Sequence, residues 1–91
     1  MDSIELYHTD NYKILGNNHT LEQFYKRHIN GETVKKMVGL SVNRMEIQKT
    51  YAIINGEIKL LVLRINIDTY FIVTCLTDTM HLKRDTLRIY V

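Results

Sequence analysis

Asn55-Gly56-Glu57 separates two β-rich runs, Thr50 to Ile54 (TYAII) and Ile58 to Ile65 (IKLLVLRI), and no other stretch restricts the fold as much. Asn-Gly between such runs favours the tight turn of a β-hairpin, because both residues tolerate the positive φ that the turn demands. A third run, Thr69 to Leu76 (TYFIVTCL), follows the turn residues Asn66-Ile67-Asp68. Leu60 to Leu63 and Tyr70 to Val73 are apolar at consecutive positions, as in central strands covered on both faces or heavily on one. The pattern predicts an antiparallel meander with Ile58–Ile65 at its centre. Thr77-Asp78-Thr79 interrupts it, and Thr86 to Val91 (TLRIYV) reads as a final strand.

The first half of the chain has a different period. Ser3 to Tyr7 and Tyr12 to Leu15 are short extended runs around the turn cluster His8 to Asn11, which predicts a small N-terminal hairpin. Thr20-Leu21-Glu22-Gln23 has the capping-box pattern, so a helix is predicted to start there. Its apolar stripe reads as Leu21, Phe24, Tyr25 and His28, and Asn30-Gly31 reads as its stop, with Gly31 in the left-handed conformation. Val34, Met37 and Val38 predict a second, shorter helix closed by Gly39, and Val42, Met45 and Ile47 form a strand or an irregular lead-in. The fold class is therefore α+β: a single domain over residues 1–91, with two helices packed on one face of an antiparallel meander of about four strands. Leu21, Phe24, Val34, Val38, Leu61, Leu63, Phe71 and Val73 are the expected core.

Composition limits the function classes. The chain is 45% hydrophobic and 24% charged, without proline, which describes a globular domain rather than a disordered one. A net charge of +2 does not by itself imply a nucleic-acid partner. Between Lys26 and Lys49, however, Lys26, Arg27, Lys35, Lys36, Arg44 and Lys49 outnumber Glu32 and Glu46. Such an excess marks either a solvated helix face or a patch that gathers phosphates. The single cysteine, Cys75, lies in an apolar run; it excludes a disulfide scaffold and reads as a small buried hydrophobe in a reducing compartment. The N-terminus MDSIELYHTD lacks the basic and apolar parts of a signal peptide, and no apolar run is long enough to span a membrane. The expectation is a cytoplasmic protein without a membrane partner, its oligomeric state left open.

No phosphate-cradling glycine loop, paired-cysteine or HExxH motif, or serine nucleophile elbow is present, so no metal or other cofactor is expected. The four histidines, His8, His19, His28 and His81, never fall on adjacent helical turns facing one way. His19 and Arg27 do share a side: eight residues apart on a helix, they differ by about 80° and lie about 12 Å apart along the axis. Arg27 leans back toward His19, with Gln23 and Lys26 on or beside the same stripe. A proton carrier beside a guanidinium clamp suits a phosphodiester. The plainer reading is a histidine beside a helix cap and a surface arginine.

His19, Arg27 and Ile29, continued by Val34 and Val38, resemble the H-x7-R-x-I helix of small bacterial and phage domains with the barnase–EndoU–colicin–RelE (BECR) ribonuclease-like fold. In that family two helices precede an antiparallel sheet whose late strand carries an apolar-Thr motif, to which Ile72-Val73-Thr74 is similar. Gln23 stands where the pattern has a second basic residue. The resemblance implies metal-independent RNA cleavage: His19 as base, Arg27 as phosphate clamp, Thr74 as a hydrogen-bond donor, and His81 or Lys83 as acid or second clamp. Lys26, Lys35, Lys36, Lys83 and Arg84 would then contact RNA. Two function classes stand side by side. One is an RNA-directed domain, as a toxin-type endoribonuclease with an antitoxin partner. The other is a non-catalytic phage or mobile-element protein that binds and inhibits a host protein.

Overall fold

The computed structural model describes residues 3–76 and 82–91. The chain runs β1 (Ile4–His8), β2 (Lys13–Gly16), α1 (Asn18–Lys26), α2 (Gly31–Ser41), a 3-10 turn at Val42–Arg44, β3 (Thr50–Asn55), β4 (Ile58–Asn66), β5 (Thr69–Leu76) and β6 (Leu87–Tyr90). All six strands form one sheet in the order β1-β2-β5-β4-β3-β6. The fold is α+β, as expected, and β3, β4 and β5 are the predicted antiparallel meander with β4 in the middle. The β3–β4 hairpin turns on Gly56-Glu57 between the paired Asn55 and Ile58. Only Gly56 has a positive φ, 58°, as in a type II′ turn.

The sheet is larger than predicted, and it is mixed. β1 and β2 form the N-terminal hairpin, but β2 then joins β5 in parallel, and β6 joins β3 in parallel. Parallel partners meet across long connections, so no turn residue announces them in the sequence.

Both helices lie on one face, where Phe24, Val34, Met37 and Val38 close over Ile14, Tyr51, Ile53, Leu60, Val62, Tyr70, Ile72 and Ile89. Met45, after the 3-10 turn, is buried in the same cluster. The inward residues of the central strands therefore have the opposite parity to the one expected. Leu60 pairs with Cys75 and Val62 with Ile72, all four buried, whereas Leu61 pairs with Thr74 and Leu63 with Phe71 on the other side. Of the expected core, Phe24, Val34 and Val38 are buried, Leu61, Leu63 and Phe71 are half-buried, and Leu21 and Val73 are 44% and 39% exposed.

The ends of α1 also differ from expectation, for local reasons. Asn17, not Thr20, is the N-cap: its side chain accepts from the Thr20 backbone N–H at 2.8 Å and the Thr20 hydroxyl at 3.1 Å. That starts the helix earlier and turns Thr20, Phe24 and Arg27 toward the sheet in place of the Leu21–Tyr25–His28 stripe. At the other end His28 takes the left-handed conformation (φ 56°). The His28 N–H bonds to the Tyr25 carbonyl and the Ile29 N–H to the Phe24 carbonyl, the two bonds of a Schellman motif. Asn30 is then free to cap α2, accepting from the Thr33 N–H at 2.8 Å. Gly31 begins α2 rather than ending α1; a Cβ there would lie 2.5 Å from the Tyr7 ring. Gly39 does not close α2, which continues to Ser41.

Candidate functional site

The residues expected to act on RNA do not gather at one point. His19 sits in the first turn of α1 and is exposed. Arg27, at the C-cap of the same helix, does face the sheet. Its Nη1 donates to the Leu76 carbonyl at 2.7 Å and approaches the Cys75 Sγ at 3.5 Å, so the guanidinium fastens the end of α1 to the end of β5. Thr74 pairs with Leu61 and points away from the helices. The sheet itself therefore stands between Arg27 and Thr74. His81 lies outside the described residues.

The five lysines and arginines proposed for RNA are also dispersed. Lys26 is exposed on α1, beside Leu21 and Tyr25. Lys35 is 2.7 Å from Glu32 on α2, and it lines with Lys36 a hollow against Thr9 and Tyr12. Lys83 and Arg84 occupy the turn before β6, closed by the Thr86 N–H on the Lys83 carbonyl. Burial pushes the Cys75 thiol above its ordinary value, and the nearby Arg27 guanidinium offsets part of that rise. A thiol so placed is a packing group rather than a nucleophile.

A different surface emerges on the side of the sheet without helices. Strand register sets its residues in rows across the strands. Leu15 on β2 aligns with Phe71 on β5 and Leu63 on β4. The next row holds Thr74, Leu61 and Ala52 and ends at Arg88 on β6. Beyond it Leu76, Lys59, Ile54 and Tyr90 align, and on the opposite side Lys13 aligns with Thr69. The register shift between Leu61 and Val62 leaves Val73 as the extra residue of a β-bulge, exposed beside Thr74. Leu15, Leu61, Leu63, Phe71 and Val73 thus form a continuous apolar centre on β2, β5 and β4, each partly open to solvent, whereas Ala52, Ile54 and Leu76 on the same side are buried.

No family model, curated protein or solved structure matches this chain. The likeness to the BECR-type helix accordingly rests on its helix and strand residues alone.

The open face went unrecognised in the sequence although one signal pointed to it. Lys59 has the parity of Leu61 and Leu63, Lys13 that of Leu15, and Arg88 that of Tyr90. A cation two residues from an apolar strand position ordinarily marks the solvent side. Arg64 obscures the pattern, because it has the parity of Leu60 and Val62 and yet points inward. Its guanidinium donates to the carbonyls of Val42, Met45, Asn66 and Ile67 and lies 5.3 Å from the centre of the Tyr70 ring.

Proposed function

We propose that this chain is a non-catalytic binding protein that engages another protein through the open face of its sheet. The observation that carries the reading is the apolar centre Leu15–Leu61–Leu63–Phe71–Val73, on a six-stranded sheet whose helices all lie on the opposite side. Large contiguous apolar surface on a folded domain marks an interaction site. A protein of this kind that blocks a host enzyme, as phage and mobile elements use, fits the small size and the scatter of the candidate catalytic groups among the described residues.

The endoribonuclease reading has weaker support. Cleavage needs a base, a cation and an acid within hydrogen-bond reach of one phosphate. Here His19 and Arg27 are at opposite ends of α1, Arg27 already holds a backbone carbonyl, and Thr74 is on the far side of the sheet. Incubating the pure protein with total RNA in EDTA tests the choice. RNA is expected to survive equally with the wild type and with His19→Ala. Cleavage by the wild type that disappears in His19→Ala would overturn the proposal and restore the enzyme reading.

A further inference from the structure

Three cations border the open face, and carboxylates gather at one end of it. Lys13 lies at the β2 end of the apolar centre, Lys59 beyond Leu61 on β4, and Arg88 at the β6 edge, in line with Ala52 and Leu61. Glu5 on β1, paired with Leu15, lies on this side, and with Asp10 and Asp68 it lines a hollow that also holds Lys13. Among the described residues the ion pairs are Lys35–Glu32 and Lys49–Glu46, and neither involves Lys59 or Arg88. The surface is thus an apolar centre with a positive border on its β4–β6 side, at Lys59 and Arg88, and mixed charge around Lys13.

Resting on the binding-protein reading above, we infer that the open face takes an acidic protein partner: an apolar segment flanked by aspartates or glutamates. Complementary charge at the border steers such an encounter and selects among apolar surfaces of similar shape. A second copy of this chain, which carries the same net charge of +2, is a poorer complement to Lys59 and Arg88 than an acidic segment. Nucleic acid fits less well for a different reason. The aromatic rings of this face, Phe71 on β5 and Tyr90 on β6, stand three strands apart, about 14 Å, too far to stack successive bases, and the centre between them is aliphatic.

The test is selection from a display library of random linear peptides against the immobilised full chain, with binding of the enriched peptides then measured by fluorescence anisotropy. Peptides carrying apolar residues between aspartates or glutamates should be enriched. Their affinity should fall at least about tenfold with Leu63→Asp, as for a central interface residue. It should also weaken as salt is raised, and charge reversal with Lys59→Glu and Arg88→Glu should abolish the preference for acidic flanks. Circular dichroism checks that Leu63→Asp is folded; Val73→Asp, at a more exposed position, replaces it if not.

Enriched apolar peptides without acidic bias, still lost with Leu63→Asp, would overturn the charge inference and leave the binding face standing. Failure to enrich any peptide, or peptides indifferent to both Leu63→Asp and Val73→Asp, would overturn both. A dimer in sedimentation that Leu63→Asp dissociates would assign the face to a second copy, and binding of poly(U) lost in Lys59→Glu would assign it to nucleic acid. Either result overturns the acidic partner.

Discussion

The two faces of the sheet are built from nearly the same residue types, and they are closed to different degrees: Ala52, Ile54 and Leu76 are buried on the side without helices, but its centre is not. On the helix side Leu60, Val62 and Ile72 are fully buried under Phe24, Val34, Met37 and Val38. On the other side Leu61, Leu63 and Phe71, one residue away along the same strands, remain half-buried. The contrast teaches that apolar composition supplies the possibility of a core, whereas the helices decide which face becomes one. A single step in α1, from Leu21 to Thr20, settles which side of that helix meets the sheet.

The largest expected difference between the faces comes from adjacent residues. Leu60→Asp buries an unpaired carboxylate and should cost several kcal/mol, on the order of the whole stability of a domain this size. Leu61→Asp, pointing the other way, should leave a cooperative urea transition within about 1 kcal/mol of wild type. Equal losses would show that the open face is covered in solution.

A smaller but still large contrast is expected between the two phenylalanines. Phe24→Ala should cost about 3–5 kcal/mol because the ring is enclosed. Phe71→Ala, at a half-buried site, should cost less than half of that by the same denaturation measurement.

Arg27→Ala sharpens the comparison by testing what joins α1 to the covered side. Losing the charged donor to the Leu76 carbonyl should cost about 1–3 kcal/mol in thermal or urea unfolding. No loss would mean that α1 is held by Phe24 and Thr20 without the arginine.

His28→Gly acts at the same corner with the opposite sign. The left-handed position at the helix end suits glycine, and relieving it should stabilise by roughly 0.5–1 kcal/mol.

The smallest effect concerns alkaline pH. The covered side holds Cys75 as a neutral thiol, its pKa raised by burial, so the folded chain retains that proton longer than the unfolded chain does. The associated stability is present below the ordinary thiol value of 9.0 and declines as pH rises above it. Buried Tyr70 and half-buried Tyr7 and Tyr12, also raised by desolvation, add a further decline above 10.0. Cys75→Ala should flatten the first part of that decline in urea midpoints and leave the second.

Much of the fold is written in local signals. Asn55-Gly56 marks the β3–β4 hairpin, Val34, Met37 and Val38 mark the buried side of α2, and the turn cluster around Thr9 marks the β1–β2 hairpin. What is not legible depends on distant residues. The parallel seams leave no turn chemistry behind them. The parity of β4 is ambiguous because Leu60 to Leu63 are all apolar and a cation stands on each parity, Lys59 outward and Arg64 inward. Arg64 can be inside only because four carbonyls, two from the segment around the 3-10 turn and two from its own turn, converge on it. At the candidate site the helix spacing of His19 and Arg27 was legible, and Arg27 does face the sheet. Its partner there is a strand-end carbonyl, which no spacing rule reveals.

The two parallel seams have a consequence for the order in which the chain can fold. The meander β3–β4–β5 is made of neighbours and can assemble quickly, but it has no finished edge until β2 reaches β5 and β6 reaches β3. Ile14 must find Tyr70 across the whole length of both helices and two strands, and such distant pairings close slowly because the intervening loop must first give up its freedom. During synthesis the N-terminal hairpin leaves the ribosome long before its partner strand exists. Ile14 has no strand partner until β5 has been released. Substitutions in β2 should slow folding if the β2–β5 seam is formed at the transition state, and should otherwise mainly speed unfolding.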